Sequence, residues 1–386
     1  MVFWLNKAKK KIKIVGLPKK MGLQEFLHMN EGDGEISYSQ NSFVQKAASL
    51  MGQPMLERAI QSVITEVKSP SKVIKVADLG CGVGPVPLAV VKLVIENVQK
   101  KCEELKWKDN DIPEIIVFLN DLPSNDFSFL FKELLNMDLL KKKEGVPLCY
   151  LMTTPGSYYG RLFPKNVLHF VHANYTLHWL SQAPSELYSE EGIPINKGNV
   201  YITESSPKIV AKAYMSQFQQ DFTKFLICRS EEVYSNGRML LTLRGRPTSS
   251  DAVTWQPWEL EIMAQAITKL VSQGLIKEEK LDTFDFPYFG PNEDDIESIV
   301  HKEGSFVIEN VNTMAQHVAH EIEDNSERAK VVSKFVRSFT ESLISRHFGE
   351  DVLEPLYEKF TQFTCEHLAK GKPIEHHSVI ILLKKI

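Results

Sequence analysis

Three glycines at alternate positions behind an acid, Asp78-Leu79-Gly80-Cys81-Gly82-Val83-Gly84, form the stretch whose residue types and spacing best suit a bound ligand. A backbone without Cβ atoms turns tightly and lets a ligand approach it closely. A second acid, Asp121, ends the apolar run PEIIVFLN. In doubly wound folds an acid at that place accepts hydrogen bonds from the hydroxyls of a ribose. The competing reading of Asp121 is a residue capping the next helix, since Pro123 marks a turn there. No GK[ST] follows the glycines, which excludes a phosphate-binding P-loop. The strict G-x-G-x-x-G of dinucleotide sites is also absent, because its last position falls on Pro85 or Pro87.

Such a cradle needs a buried strand before it and a helix after it. Val73, Ile74, Val76 and Ala77 supply the strand. The segment after the glycines is apolar at Leu88, Val91, Val94, Ile95 and Val98, which is helical spacing, and Pro87 is expected to open that helix. Further strands are expected in PEIIVFLNDLP, VPLCYLMTTPG, NVLHFVHANY, GRMLLTLRGR (Gly237–Arg246), SFVIENVNT (305–313) and the closing HSVIILLKK. A polar arm, residues 30–45, leads into a helix that ends near Val67, with Ser42 or Asn41 as its cap. Lys208–Tyr234 reads as a long helix, Glu259–Leu275 as another, and a helical insertion fills about 317–370. The pattern predicts one α/β core of seven mostly parallel strands, whose C-terminal half carries helical insertions over the ligand edge.

The 386 residues are 43% hydrophobic and 24% charged, the balance of an ordinary globular chain with a sizeable core. A net charge of −4 offers no positive field for nucleic acid. The cysteines (Cys81, Cys102, Cys149, Cys228, Cys365) are odd in number and lack metal-ligand spacing, which fits a reducing, cytoplasmic setting. No apolar run is long enough to span a membrane. The basic, apolar-interleaved first twenty residues read as an extension, with Met21 as a more natural start.

Read together, HMNEGDGEISYSQNS, VADLGCGVGP, FLNDLPSNDF, PGSYYGRLFP, LHWLSQAPSEL, INKGNVYI, GRMLLTLRGR and VSQGLIKEEKLDTFD resemble, in order, the plant SABATH methyltransferases. The resemblance runs from about residue 25 to the end. It implies a Rossmann-like class I methyltransferase fold, a homodimer, and S-adenosylmethionine as methyl donor. Residues 1–24 would then be an extension. Residues 25–246, 300–316 and 371–386 would form the donor-binding core, and 247–299 and 317–370 a helical cap.

Carried over position by position, the resemblance puts the donor against Tyr38, Asp78, Cys81, Asp121, Leu122, Ser157 and Tyr158, with Asn174 nearby. Ser157 suits a hydrogen bond near the adenine and Tyr158 an aromatic face beside it; the plain alternative for Tyr158 is core packing. The family's DLGCSSGPN is DLGCGVGPV here, so Val83 and Val86 replace a hydroxyl and an amide.

For the acceptor the resemblance implies Gln45, Tyr175, His178, Trp179, Val336 and Phe339, with either Trp258 or Leu260 from the next cap helix. His178 is the candidate general base for a ring N–H, and a hydrogen-bonding positioner if the acceptor is a carboxylate. The plain alternative is a buried strand whose histidines bond to backbone. Asn30 stands where salicylate-type members have a lysine. The family also implies a divalent ion such as Mg²⁺ at Asn196, Asp282, the Phe284 carbonyl and Asp285; the alternative is two helix-end acids and a turn.

The longer matches are most like the caffeine and theobromine synthases of tea and cacao. The expected activity is methyl transfer to a xanthine ring nitrogen. The alternative is a carboxyl methyltransferase acting on a small plant acid. A third reading, prompted by Val83 and Val86, is a cofactor-binding protein without catalysis.

Overall fold

In the computed structural model, which describes residues 27–66, 73–108, 111–141, 143–252 and 255–386, the chain runs as an alternation of helix and strand. The expected extension, residues 1–24, lies outside the described residues. The first half contains α1 (Tyr38–Asn41), α2 (Phe43–Glu66), β1 (Val73–Leu79), α3 (Pro85–Glu104), β2 (Glu114–Asn120), α4 (Phe127–Leu135), β3 (Cys149–Thr153) and β4 (Leu168–Asn174). Then follow α5 (Lys208–Glu232), β5 (Val233–Gly245), α6 (Trp258–Ser272), α7 (Glu278–Asp282), α8 (Glu293–Glu303), β6 (Phe306–His317), α9 (Asn325–Phe348), α10 (Leu353–Ala369) and β7 (Glu375–Lys385).

The seven strands form one sheet in the order β3-β2-β1-β4-β5-β7-β6. The first five pair in parallel, and β7 runs antiparallel to both its neighbours. Alternate residues of the central strands enter two different apolar clusters, as a period of two demands: Ala77 and Leu79 join one, Ile74 and Val76 the other. Every residue of β4 is buried, so its sequence reads as nearly continuous apolar residues with histidines set among them. Chain order reverses direction across the sheet between β1 and β4. A crevice forms at the carboxyl ends of such a pair, and ligands bind there in open α/β sheets.

Several element ends differ from the expected ones. α3 opens at Pro85 rather than Pro87, a first position where the missing N–H costs nothing. Gly84 before it has φ +89°, and a Cβ there would sit 2.7 Å from the Cα of Ser39. Neither Asn41 nor Ser42 caps α2 through its side chain. The short helix α1 comes directly before it, and the Asn41 amide donates instead to the carbonyls of Glu35 and Ser37. β5 starts at Val233, where α5 ends, and β6 runs on to His317.

α10 packs against both α6 and α9, and we call these three helices the cap. The arm before α1 is laced to α9: Ser342 Oγ donates to the His28 carbonyl (2.8 Å), and the Asn30 N–H donates to the Ser338 carbonyl (2.9 Å). Ser124 Oγ, on the opposite wall, donates to the Leu27 carbonyl at 3.0 Å. The arm therefore bridges cap and core across the carboxyl edge of the sheet.

Candidate active site

A cavity of about 380 Å³ lies at that edge, between the ends of β1, β2 and β4 and the cap. Its first half is built around Asp121. One carboxylate oxygen accepts from the Gly82 N–H and the other from the Leu122 N–H, both at 2.7 Å. Desolvation nevertheless raises this carboxyl to about 6, with Asp78 adding to the effect and the two N–H donors opposing it. Gly80 forms the floor. It has φ +68°, and a Cβ there would lie 2.3 Å from Thr176 Cγ2, so the close approach of the two loops requires glycine.

Asn120, the last residue of β2, donates its amide to the carbonyls of Thr154 (2.6 Å) and Gly156 (2.9 Å). These bonds hold the loop that brings Ser157 and Tyr158 to the cavity beside Asp121. The Tyr158 hydroxyl donates to the Thr176 carbonyl at 3.0 Å, tying that loop to the one after β4.

The second half starts at Tyr175, which has φ +58°, a left-handed backbone costing roughly 1–2 kcal/mol for a residue with a Cβ. Its N–H donates to the Thr242 carbonyl (2.7 Å), and its hydroxyl lies 2.7 Å from Ser378 Oγ, so strands β5 and β7 both hold the turn. Trp179 packs against Phe286 and Phe339, and Tyr175 lies edge-on to His178. His178 Nδ1 accepts the backbone N–H of Arg244 at 3.1 Å. In the neutral ring, Nε2 therefore carries the proton. Burial pushes this imidazole down to about 3, and the Arg244 guanidinium pushes the same way.

Arg244 is itself buried and paired with buried Glu259 of α6 at 3.3 Å, with the Trp255 ring 5.4 Å from its guanidinium. Five residues of the cavity wall keep buried polar atoms without a protein partner: Gln45 Oε1, Asn174 Oδ1, Thr176 Oγ1, Tyr288 OH and both nitrogens of His376. Such groups are costly unless something hydrogen-bonds to them, and all five residues line one cavity.

Of the candidate donor residues, Tyr38, Asp121, Leu122, Ser157, Tyr158 and Asn174 line this cavity. Asp78 and Cys81 are not among its lining residues. Asp78 is buried in the sheet with one oxygen 2.7 Å from His172 Nδ1, and the Cys81 thiol lies among the apolar residues packed around α3. Val83 joins the same apolar cluster and Val86 is buried, so the two departures in the glycine turn do not line the cavity either.

Of the candidate acceptor residues, Gln45, Tyr175, His178, Trp179 and Phe339 line the cavity, but Val336 does not. The helical repeat explains the difference. Phe335 and Phe339 are four apart and share a face, whereas Val336 turns into the core. Leu260, not Trp258, reaches the cavity from α6; the Trp258 indole donates to the Glu375 carbonyl at 3.0 Å. Asn30 is structural, its amide donating to the Ile36 carbonyl. Sequence reasoning missed Arg244, Glu259, Tyr288, Phe335 and His376. An arginine inside LLTLRG was the available signal, because a cation at a buried strand position needs a partner.

At the corner implied for Mg²⁺, Asn196 and Asp282 are held by the protein's own hydrogen bonds. Asn196 Oδ1 accepts from Ser206 Oγ (2.7 Å), its amide donates to the Tyr201 carbonyl (3.0 Å), and Asp282 Oδ1 accepts from the Gly198 N–H (2.9 Å). Among the described residues no group of three His, Cys, Asp or Glu could hold a metal ion. Asn196 and one oxygen of Asp282 are thus engaged by the protein itself, and no step below passes through a divalent ion. All five cysteines are free, and no helix of the described residues is long and apolar enough to cross a membrane.

The family described as SAM-dependent carboxyl methyltransferase matches residues 24–386. A 7-methylxanthine methyltransferase of Camellia ptilophylla is 44% identical over 366 residues, covering 94% of this chain and 99% of the relative. A 3,7-dimethylxanthine N-methyltransferase of Camellia sinensis is 45% identical over 368 residues, covering 94% and 97%. Among solved structures, loganic acid methyltransferase with S-adenosylhomocysteine superposes with a TM-score of 0.80 at 31% identity, covering 92% of this chain and 98% of that one. The sheet order, the cavity at the carboxyl edge and these likenesses agree: the chain belongs to the S-adenosylmethionine-dependent carboxyl methyltransferase family, the SABATH methyltransferases its motifs resemble.

Proposed function

We propose that this methyltransferase acts on a ring nitrogen of a xanthine. The observation that carries the reading is the charge state of the acceptor half. Among the described residues its one buried cation, Arg244, is already paired with Glu259, and the only ammonium on the cavity wall, Lys224, is an exposed residue. What remains unspent are the neutral donors and acceptors on Gln45, Tyr288 and His376. A flat ring bearing carbonyls, N–H groups and basic nitrogens matches that set, and the aromatic walls Trp179, Phe335 and Phe339 suit its faces. A carboxylate has acceptors alone and calls for a free cation.

S-adenosylmethionine supplies a methyl group already activated by its sulfonium. The protein's part is alignment and exclusion of water. We assign Asp121 to the ribose hydroxyls, Ser157 and Tyr158 to the adenine, and Tyr38, Leu122 and Asn174 to the remaining walls. His178 has its Nδ1 occupied and its ring neutral, so we assign it the role of donor, holding a ring carbonyl through Nε2–H. Donors from His178 and Tyr288 favour a deprotonated ring, so the proton can leave before binding and no protein base is required. A division into a donor-binding core and a helical cap over 247–299 and 317–370, and a cytosolic homodimer, complete the reading, supported by the family likeness and the five free cysteines.

Calorimetric titration of the enzyme loaded with S-adenosylhomocysteine tests it. Theobromine is expected to bind saturably, and salicylate far more weakly. The reverse order contradicts the proposal.

A further inference from the structure

The loop that carries Ser157 and Tyr158 is held from below by Asn120, but a second anchor grips it from the far side. Arg229 and Glu232, at the C-terminal end of α5, are both fully buried, and Arg229 Nε donates to Glu232 Oε2 at 2.7 Å. The rest of the guanidinium faces the loop: Nη1 donates to the Tyr158 carbonyl (2.8 Å) and Nη2 to the Gly160 carbonyl (2.7 Å). Glu232 Oε1 accepts the N–H groups of Leu162 (2.6 Å) and Phe163 (3.0 Å) and Nε of Arg161 (3.2 Å). One ion pair thus holds four backbone groups of a single loop, the carbonyls of Tyr158 and Gly160 and the N–H groups of Leu162 and Phe163.

We infer that Arg229 and Glu232 are positioning residues that set the geometry of the donor-binding loop, an inference that rests on the assignment of Ser157 and Tyr158 to the adenine. Stability alone does not explain a buried ion pair, because the cost of desolvating both charges offsets most of their attraction. What the pair supplies is direction. The guanidinium fork is rigid and planar, and its two outer nitrogens fix two carbonyls at once. Phe225 completes the clamp, lying under the Arg229 guanidinium at 5.2 Å and edge-on to the Tyr158 ring. Tyr158 is therefore fixed at its carbonyl by Arg229 and at its hydroxyl by Thr176. A lysine at position 229 keeps the charge but cannot span both carbonyls. A glutamine at 232 keeps an acceptor but loses the charge that orients the fork.

The test measures three quantities on Arg229→Lys, Glu232→Gln and Ser157→Ala: Kd for S-adenosylhomocysteine, KM for theobromine and Tm. Both clamp variants are expected to raise the Kd about tenfold while leaving the acceptor KM within about twofold of the parent. A lowered Tm with the Kd unchanged in either clamp variant that folds reduces the pair to a structural role and overturns the inference. A raised Kd in Ser157→Ala with none in the clamp variants overturns it too. An unchanged Kd in Ser157→Ala contradicts the underlying assignment of the loop instead.

Discussion

The backbone N–H of Arg244 donates to His178 Nδ1 across 3.1 Å, and that bond decides what the histidine can do. A proton arriving at Nδ1 would meet an N–H donor and, beyond it, a buried guanidinium. His178 is therefore a neutral donor through Nε2. Replacing it by alanine is expected to lower kcat/KM about 10- to 100-fold, the effect of one lost hydrogen bond to a developing charge. Loss of a general base costs up to about 10⁴-fold. His178→Gln, which retains an N–H donor, is expected to recover most of the loss. Steady-state kinetics on the two variants decide it, and a glutamine variant as poor as the alanine one counts against the donor role.

Asp121 gives donor binding a pH dependence of definite sign. Its carboxyl titrates at about 6, above its ordinary 3.8, because burial disfavours the charged form. A ribose is held by the carboxylate as acceptor, so affinity for S-adenosylhomocysteine is expected to fall as pH drops through 6, by up to about tenfold per pH unit below it. Asp121→Asn should bind weakly with a flat profile. Calorimetry from about pH 8 to about pH 5 checks both, and a profile unaltered by the substitution rejects the role.

Stability also falls as pH falls, through the buried histidines. Burial lowers His169 to about 4, His178 to about 3 and His376 well below its ordinary value. Groups whose folded pKa is depressed bind more protons when unfolded. Their stabilisation is complete above pH 6.5 and is lost as pH falls toward the folded values, each contributing at most about 1.4 kcal/mol per pH unit. The raised carboxyls of Asp121 and Asp221 oppose this, because they take up protons in the folded state first. Burial also lowers His347, His367 and His377, and six histidines against two carboxyls predict a falling urea midpoint between about pH 7 and about pH 5. A flat or rising midpoint contradicts the neutral assignment of the histidines.

On α9 the two neighbours Phe335 and Val336 differ in whether they line the cavity. Phe335→Ala opens the acceptor wall and is expected to raise acceptor KM with the donor Kd unchanged, and, as a fully buried ring, to cost about 3–5 kcal/mol of stability as well. Val336 is 1% exposed and packs in the core, so Val336→Ala should cost about 2 kcal/mol of stability with little change in KM. Kinetics and denaturant midpoints on the pair check this, and the reverse assignment would place the cap in a different rotation.

Periodicity made the sheet legible. The apolar strands, the glycine turn and the acids at the ends of β1 and β2 announce themselves locally, and Asp121 is read from them; Ser157 and Tyr158 came only through the family resemblance, and all three line the cavity. Two kinds of residue were not legible. Asp78 and Cys81 sit in the motif that suggests the ligand, yet neither is among the residues lining the cavity: Asp78 meets His172 inside the sheet and Cys81 joins the apolar cluster around α3. Arg244, Glu259 and His376 come from β5, α6 and β7, far apart in sequence, and each looks ordinary until the fold sets them beside His178. Helix rotation explains Phe335 in place of Val336. A shift of one residue is invisible to motif matching but turns a side chain by about 100°.

The most direct measurement is a competition in one tube. Labelled S-adenosylmethionine is incubated with the enzyme and equal concentrations of 7-methylxanthine and salicylate, and the methyl product is tested for release by base. A cavity whose cation is spent on Glu259 predicts label in a base-stable xanthine methyl group. Label in a base-labile ester would contradict the account.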